Sequence, residues 1–272
     1  MLIYGKAIRE KMTAELKAVL VEKDLGLAIV CAGDDIASIS YARAVMRYAE
    51  EIGVNSQFLH LPASISEPEI IAVIDELNQD ASVHGIMIQA PLPPGLSAER
   101  VVQRIDPDKD VEGVSHINQG RLLERSGIIF PCTPKAVLRM LKEYQIKLAG
   151  CKICVIGRSR IVGAPLSMML MDEDATVTLC HSRTRDLSME TLSADVVIAA
   201  AGQIGLVQPD MVRSDTIVID VGTNFDEQGK MWGDVDQAVG EKAAMLTAVP
   251  GGVGSITVPE LFDNLRLLTE KM

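Results

Sequence analysis

The stretch that decides the fold is CKICVIGRSRIVGAPLSMMLM, residues 151–171. An apolar run (151–156) is followed by the glycine-containing turn GRSRIVGAP (157–165) and then by residues with helical spacing. A strand, a glycine turn and a helix in this order usually bind a phosphate, because free N–H groups at a helix start attract anions. The fingerprint G-x-G-x-x-G is incomplete, since Ser159 replaces its second glycine. The stretch therefore predicts a variant dinucleotide-binding turn.

Strand and helix patterns alternate on both sides of this stretch. Repeated strand–helix units with apolar strands predict a parallel sheet that is covered on both faces. A loop-rich segment, residues 106–134, separates two such series. We therefore predict two α/β domains flanking a cleft, the second being a Rossmann-like dinucleotide-binding domain with a mainly parallel sheet. The predicted boundaries are 1–120, completed by a C-terminal helix over 257–272, and 133–252. Thr257 and Glu260 have the T-x-x-E spacing of a capping box at the start of that helix.

The composition excludes several classes of protein. The 272 residues include 37 acidic and 26 basic side chains, for a formal net charge of -11. This acidic balance argues against nucleic acid and anionic membranes as partners. No stretch approaches the ~20 apolar residues that span a bilayer, and the start, MLIYGKAIREKMTAELKAVL, lacks the apolar region of a signal peptide. We expect a cytoplasmic protein.

The cysteines and histidines do not predict a metal site. Cys151 and Cys154 form a C-x-x-C, which could be a redox or zinc pair. They fall in a predicted strand, however, where residues three apart point to opposite faces. Buried structural thiols are the better interpretation, and the four histidines show no metal-ligand spacing.

The residues after the next predicted strand bear on the choice of cofactor. Where NAD-binding enzymes carry an acid for the ribose hydroxyl, this chain has Ser182, Arg183 and Arg185. Together with Arg158 they form a set of donors suited to a 2′-phosphate, which favours NADP over NAD. From these residues alone, a solvated basic loop is an equally good explanation.

Nine ordered motifs, spread over about 220 residues, make a specific signature. They are ASISYARAV, GIMIQAPLP, DPDKDVEG, INQGRL, PCTPKAV, GRSRIVGAPLS, TVTLCHSRT, IVIDVGTN and VPGGVGSITV. In this order they resemble the bifunctional methylenetetrahydrofolate dehydrogenase/methenyltetrahydrofolate cyclohydrolase family, called FolD in bacteria. The resemblance implies a folate site in the first domain, NADP in the second, and homodimers formed through the cofactor domain. It also implies a role in one-carbon metabolism, including purine biosynthesis.

The resemblance assigns roles to individual positions. Glu112 takes the place of the second aspartate of the family's D-V-D-G, which contacts the pterin, and Ser255 and Ile256 replace Pro and Met in P-G-G-V-G-P-M-T. The implied catalytic residues are Tyr41, Gln89 and Glu112. The implied substrate-binding residues are these three with Pro91, Leu92, Gly251 and Gly252. The implied cofactor-binding residues are Gly157, Arg158, Ser159, Ile161, His181, Ser182, Arg183, Ala201, Gly202 and Thr223.

One departure concerns the family pattern Y-x-x-x-K, whose lysine catalyses the cyclohydrolase reaction. Four residues after Tyr41 this chain has Val45, and Gly53 keeps the family's distance from the tyrosine. We predict dehydrogenase activity with weak or lost cyclohydrolase activity. Arg47 should point away from this helix face, and Tyr48 is a weak base. Alternative hypotheses are a degenerate member that binds folate or cofactor without catalysis, and another dehydrogenase with two α/β domains.

Overall fold

The computed structural model describes residues 1–270. The chain divides into two compact units. We call them the six-strand unit (residues 1–10 and 131–260) and the three-strand unit (residues 11–130 and the chain from 261 onward). The predicted fold class, two α/β domains with a mainly parallel sheet, is confirmed.

The secondary structure alternates as the sequence indicates. In chain order the strands are β1 (Leu2–Ile3), β2 (Gly26–Ala32), β3 (Asn55–Leu61), β4 (Gly85–Ile88), β5 (Lys152–Ile156), β6 (Thr176–Cys180), β7 (Val196–Ala199), β8 (Ile217–Asp220), β9 (Asn224–Phe225), β10 (Met231–Trp232) and β11 (Met245–Thr247). The helices are α1 (Lys6–Leu20), α2 (Ile36–Ile52), α3 (Glu67–Gln79), α4 (Ala98–Val102), α5 (His116–Leu123), α6 (Cys132–Glu143), α7 (Gly163–Asp172), α8 (Leu187–Leu192), α9 (Val239–Lys242) and α10 (Thr257–Glu270).

The larger sheet has the strand order β1-β11-β8-β7-β5-β6, and its neighbouring strands run parallel. Strand β5 pairs with β6 on one side and with β7 on the other, so the chain switches direction across the sheet at β5. In open α/β sheets, ligands bind beyond the carboxyl ends of the strands at such a switch point. The turn at 157–165 lies at that point.

Residues 1–10 lie in the six-strand unit, whereas the sequence-based boundary placed them in the first domain. Strand β1 pairs in parallel with β11, with Leu2 opposite Leu246. Ile3 is 1% exposed, so this short strand buries an apolar side chain at the sheet edge. A two-residue strand carries too little periodicity to be predicted from sequence.

The smaller sheet has the order β3-β2-β4, again parallel. Its central strand β2 is buried from Leu27 to Ala32. The segment after Asp108 runs beside β4: the Ile86 N–H donates to the carbonyl of Lys109 at 2.8 Å, and Ile86 pairs with Asp110 in a parallel bridge. The backbone of Lys109 and Asp110 therefore lies against the β4 edge of the sheet.

None of the helices within residues 1–270 combines the length and apolar character that crossing a bilayer requires. The same residues contain no cluster of histidine, cysteine and carboxylate side chains that could hold a metal ion. The Cys154 thiol is buried, and its sulfur lies 3.7 Å from that of Cys180 on the neighbouring strand. Cys151 is only half-buried and precedes β5, so the C-x-x-C cysteines have different surroundings.

Candidate active site

The turn after β5 depends on two glycines that approach other backbone atoms closely. Gly157 has φ +112, and a Cβ placed there would lie 2.1 Å from the carbonyl oxygen of Ala200. A Cβ on Gly163 would lie 1.7 Å from the carbonyl oxygen of Gly157. The Ser159 hydroxyl accepts a hydrogen bond from the N–H of Val162 at 3.1 Å. Ser159 therefore shapes the turn from within, which explains how the turn forms without a second glycine.

A group of exposed arginines lies at the same edge of the larger sheet. Ile156 is paired with Cys180, so the turns after β5 and β6 begin side by side. Arg158 belongs to the first turn, and Arg183 and Arg185 follow the second. Within residues 1–270 these three guanidinium groups form no ion pair. In a chain with a net charge of -11, such cations suit a bound phosphate.

Hydrogen bonds hold the turn after β6 in a tight conformation. The His181 N–H donates to the Thr184 hydroxyl at 2.9 Å, and the ring Nδ1 of His181 accepts from the N–H of Arg183 at 3.0 Å. These bonds leave Ser182 and Arg183 exposed. The turn therefore presents a hydroxyl and a guanidinium to solvent, and Ile161 in the preceding turn is 56% exposed.

The cofactor residues predicted after β7 and β8 lie around a buried carboxylate that the sequence analysis missed. Ala201 and Gly202 are exposed, yet their N–H groups both donate to Asp234 Oδ2, at 2.5 and 2.9 Å. Thr223 is exposed next to this network. A second buried aspartate, Asp220, ends β8. The signal that could have revealed them is the aspartate that follows an apolar strand in IVID and a glycine in GDVD.

The glycine turn at 250–254 belongs to the six-strand unit. Gly251 has φ +102, and its carbonyl accepts a hydrogen bond from the N–H of Gly5 at 2.8 Å. A Cβ on Gly252 would lie 2.4 Å from the carbonyl oxygen of Ala248. The Ser255 hydroxyl donates to the carbonyl of Gly252 at 2.6 Å, so the serine that replaces the family's proline ties the turn to itself.

In the three-strand unit, the start of α2 is tied to the turn after β4. Asp35 caps the helix by accepting from the Ser38 N–H at 2.8 Å. The Ser38 hydroxyl lies 2.7 Å from that carboxylate and 3.0 Å from the carbonyl oxygen of Ala90. Ala90 precedes the cis-bonded Pro91, and Gln89 precedes Ala90. The structure thus brings the tyrosine-bearing helix and the Gln89 turn together, whereas Leu92 packs against the core cluster to which α3 and α4 contribute.

One face of α2 runs from the surface into the core. Tyr41 is 37% exposed, whereas Val45 is 0% exposed. One turn further, the Tyr48 hydroxyl is 2.9 Å from the Thr13 hydroxyl, and its ring centroid is 5.4 Å from that of Phe262. The Tyr48 side chain is therefore part of the packed core.

Arg47 and Arg43 line an open surface cavity of about 590 Å³ with Glu50 and Met46. Because residues two apart on a helix point in nearly opposite directions, this cavity lies away from the face of Tyr41 and Val45.

Gln89 follows the carboxyl end of β4, and the Glu112 side chain reaches the backbone of the last residue of that strand. Gln89 is buried, its N–H donates to the Val30 carbonyl at 2.8 Å, and its amide nitrogen lies 3.4 Å from the sulfur of Met87. The half-buried Glu112 accepts a hydrogen bond from the backbone N–H of Ile88. Burial, reinforced by the neighbouring Asp110 carboxylate, raises the pKa of Glu112 to about 8 despite that hydrogen bond.

Asp110 is a buried carboxylate whose two oxygens differ in their hydrogen bonds. Its Oδ2 accepts from the N–H of Ser115 at 2.8 Å and from the amide of Asn118 at 3.0 Å. Its Oδ1 has no hydrogen-bond partner among residues 1–270. Asp110 therefore fixes the start of α5 and places a negative charge next to Glu112.

Family models match most of the chain. Residues 3–112 match the model described as "Tetrahydrofolate dehydrogenase/cyclohydrolase, catalytic domain". Residues 131–272 match "Tetrahydrofolate dehydrogenase/cyclohydrolase, NAD(P)-binding domain". The two matches follow the two series of strand–helix units.

Individual relatives cover the whole chain. The bifunctional protein FolD 2 of Syntrophomonas wolfei is 48% identical over 271 residues, covering 100% of both chains. The crystal structure of bifunctional FolD from Campylobacter jejuni is 41% identical, with a TM-score of 0.95 over 100% of this chain and 99% of that one. FolD from Trypanosoma brucei, in complex with NADP cofactor and inhibitor, is 33% identical with a TM-score of 0.94, covering 100% and 97%.

Proposed function

The chain belongs to the tetrahydrofolate dehydrogenase/cyclohydrolase family, and we propose that it oxidises methylenetetrahydrofolate to methenyltetrahydrofolate with NADP as hydride acceptor. The main support for this proposal lies where β5 and β6 end in the six-strand unit, which we call the cofactor edge. There, a turn built on Gly157 and Gly163 adjoins Arg158, Arg183 and Arg185, which form no ion pair within residues 1–270.

These residues fit NADP in two ways. The turn that leads into α7 approaches neighbouring backbone so closely that side chains at its glycines are excluded, and a helix start of this kind attracts a diphosphate. The exposed arginines and Ser182 supply donors for a 2′-phosphate, and no carboxylate occupies the position that would bind a ribose hydroxyl in an NAD enzyme. When bound, NADP supplies the hydride acceptor.

The folate half consists of Tyr41, Gln89 and Glu112. Hydride transfer requires no proton transfer from the protein, so the contribution of these residues is to hold the pterin in position. The Glu112 carboxylate would accept hydrogen bonds from the amino and ring N–H groups of the pterin. These donors favour the ionised form, whereas the pKa of Glu112 is raised to about 8 in the free protein. Folate binding near neutral pH should therefore release a proton from Glu112.

We propose that the cyclohydrolase activity is weak or lost. Val45 stands where the family has its lysine, and its side chain is fully buried and carries no group that could shuttle a proton. The Tyr48 hydroxyl bonds to Thr13 in the core, and Arg47 lies on the opposite side of the helix. Neither side chain is placed to replace the lysine. Methenyltetrahydrofolate should therefore be the product that accumulates.

A single assay tests both parts of this proposal. The purified protein is mixed with methylenetetrahydrofolate and NADP, and the absorbances of NADPH and of methenyltetrahydrofolate are followed together. We expect both to rise at the same rate. If NADPH rises while methenyltetrahydrofolate stays low, the cyclohydrolase part of the proposal is wrong. If NADPH does not rise, the dehydrogenase part is wrong.

We further propose that the protein is a cytoplasmic homodimer that serves one-carbon metabolism and purine biosynthesis. The support for these points is the family resemblance and an acidic composition with no bilayer-spanning helix among residues 1–270. Light scattering of the purified protein measures the oligomeric state directly, and a monomeric mass would contradict the dimer.

A further inference from the structure

The Asp234 carboxylate is a point where several loop groups converge. The residue is 0% exposed. Its Oδ2 accepts from the N–H groups of Ala201 and Gly202 at 2.5 and 2.9 Å. Its Oδ1 accepts from the N–H of Gln203 at 2.9 Å and from the side-chain amide of Asn224 at 2.8 Å. Three consecutive backbone N–H groups thus point at one internal anion, an arrangement that elsewhere binds external anions.

A second buried aspartate holds Asp234 in place. Oδ1 of Asp220 accepts from the N–H groups of Gly222 and Asp234, each at 2.9 Å, and its Oδ2 accepts from the N–H of Val235 at 3.0 Å. A Cβ on Gly233 would lie 1.8 Å from Asp220 Oδ2, so only glycine permits this approach. The segment carrying Asp234 is therefore anchored to the end of β8 before it reaches the 201–203 turn.

The strand order locates this network relative to the cofactor edge. The 201–203 turn follows β7 and Asn224 follows β8, whereas the arginine-bearing turn follows β6 on the other side of β5. Neighbouring strands are about 4.8 Å apart. A dinucleotide whose 2′-phosphate lies near β6 and whose diphosphate lies at the β5 turn extends its nicotinamide end towards β7 and β8. The Asp234 network lies beneath that end.

We propose that Asp234 is a positioning residue for the nicotinamide end of the cofactor. Its carboxylate fixes the exposed 201–203 turn and the Asn224 side chain, and the buried side chain itself acts from beneath the turn. This inference rests on the proposed use of NADP. An exposed turn with two positive-φ glycines nearby, Gly202 and Gly205, has little side-chain packing of its own. The three charge-assisted hydrogen bonds from the turn to Asp234 therefore determine its shape, and the fourth fixes the Asn224 side chain beside it.

The first test needs no cofactor. In Asp234→Asn, the amide group turns an NH₂ towards N–H donors, so at least one of the four bonds is lost. We expect hydrogen exchange at the 201–203 amides to become about tenfold faster or more, since a lost charged hydrogen bond corresponds to at least this factor. The matched control is Asp226→Asn, which should leave exchange at 201–203 unchanged. In the unaltered protein the Asp226 carboxylate binds the N–H groups of Gln228 and Lys230 in the β9–β10 hairpin. Unchanged exchange at 201–203 in Asp234→Asn would overturn the inference.

The second test separates the two ends of the cofactor. Calorimetry measures the Kd values of NADP and of 2′,5′-ADP, which contains the phosphate-bearing adenosine and lacks the nicotinamide. For Asp234→Asn we expect the Kd of NADP to rise about tenfold and that of 2′,5′-ADP to change less than about twofold. Asn224→Ala, a milder variant, should show the same pattern with a smaller change, which covers the case that Asp234→Asn does not fold.

Equal losses for both ligands, or no loss for either, would refute the positioning role. If the unaltered protein binds neither ligand, the proposed function fails, and the exchange rates at 201–203 alone then decide whether Asp234 holds the turn.

Discussion

The buried carboxylates of the two units differ in how fully their charge is compensated. In the six-strand unit, Asp234 accepts hydrogen bonds from four donors and Asp220 from three backbone N–H groups. In the three-strand unit, Glu112 accepts from one backbone N–H, and Asp110 leaves Oδ1 without a partner among residues 1–270.

The pKa values follow this difference. Burial raises the pKa of Asp220 to about 6, against the opposing effect of its backbone hydrogen bonds. Burial and Asp110 raise the pKa of Glu112 to about 8, with a single opposing hydrogen bond. Asp234 accepts hydrogen bonds from donors of the protein at both oxygens, and it thereby fixes the loops that carry them. Glu112 accepts only one such bond, so it can accept further hydrogen bonds from a ligand. This difference predicts distinct effects of substitutions in the two units.

The largest expected effect is a gain of activity in the three-strand unit. Val45→Lys should raise methenyltetrahydrofolate hydrolysis by ~10²–10⁴, the usual contribution of a positioned acid–base group. Because the site is buried, the pKa of the introduced amine should be lowered, which makes it a better base near neutral pH. The measurement is the decay of methenyltetrahydrofolate absorbance, with Val45→Met as the control of similar bulk. Rapid decay with the unaltered protein would show that another residue already acts.

The next effect concerns Glu112. Glu112→Ala should lower the dehydrogenase kcat/KM by more than about 10², since a misplaced substrate alone can reduce the rate by this factor. The Kd of NADP should stay unchanged, because Glu112 lies in the three-strand unit. Asp108→Ala, in the same loop and exposed, serves as the control. Normal turnover in Glu112→Ala would remove this carboxylate from the folate site.

A smaller effect is expected in the six-strand unit. Arg158→Ala should raise the KM for NADP roughly ten- to a hundredfold, the value of one lost charge-assisted contact. The KM for NAD, which lacks the 2′-phosphate, should hardly change and so provides the control. Steady-state rates with each cofactor give the comparison. Parallel increases for NADP and NAD would contradict the assignment of Arg158 to the 2′-phosphate.

The smallest effect is a pH-dependent change in stability. With a folded-state pKa of about 8 against an ordinary value of 4.5, Glu112 retains a proton in the folded protein that the unfolded chain has released. The free energy of unfolding should therefore fall as pH rises through this window. Glu112→Gln removes this penalty, so its Tm should exceed that of the unaltered protein by several °C near pH 8.5 and differ little from it near pH 5.

Thermal unfolding monitored by circular dichroism at both pH values measures this difference. Asp226→Asn, on an exposed hairpin, should not show the pH-dependent gain. A Tm difference for Glu112→Gln that is the same at both pH values would contradict the raised pKa.

Local patterns were sufficient for several features. The apolar run, the glycines and the helical spacing of residues 151–171 predicted a strand–turn–helix, and β5 and α7 lie there. The interval from Tyr41 to Val45 predicted a shared helix face, because 3.6 residues per turn is a property of the backbone alone. The backbone approaches so closely at Gly157 that no side chain fits, and the sequence indicates this position by the glycine itself.

Features that depend on distant partners were not predictable in this way. The T-x-x-E capping box at Thr257 is not formed: the Glu260 carboxylate instead binds Arg139 and lies 3.3 Å from the ammonium of Lys135. Both cations belong to α6, more than a hundred residues earlier in the chain. A buried carboxylate binds the nearest cations that packing provides, and local spacing carries no information about them.

The sequence by itself determined the alternation of strands and helices, the glycine turn and the replacement of a lysine by Val45, because each is encoded within a few neighbouring residues. Only the tertiary structure decided that β1 joins the larger sheet, that Tyr48 is bound to Thr13 in the core, and that Asp234 lies under the 201–203 turn. The physical reason is that the partners of buried polar groups are set by strand order and packing, which bring together residues far apart in the chain.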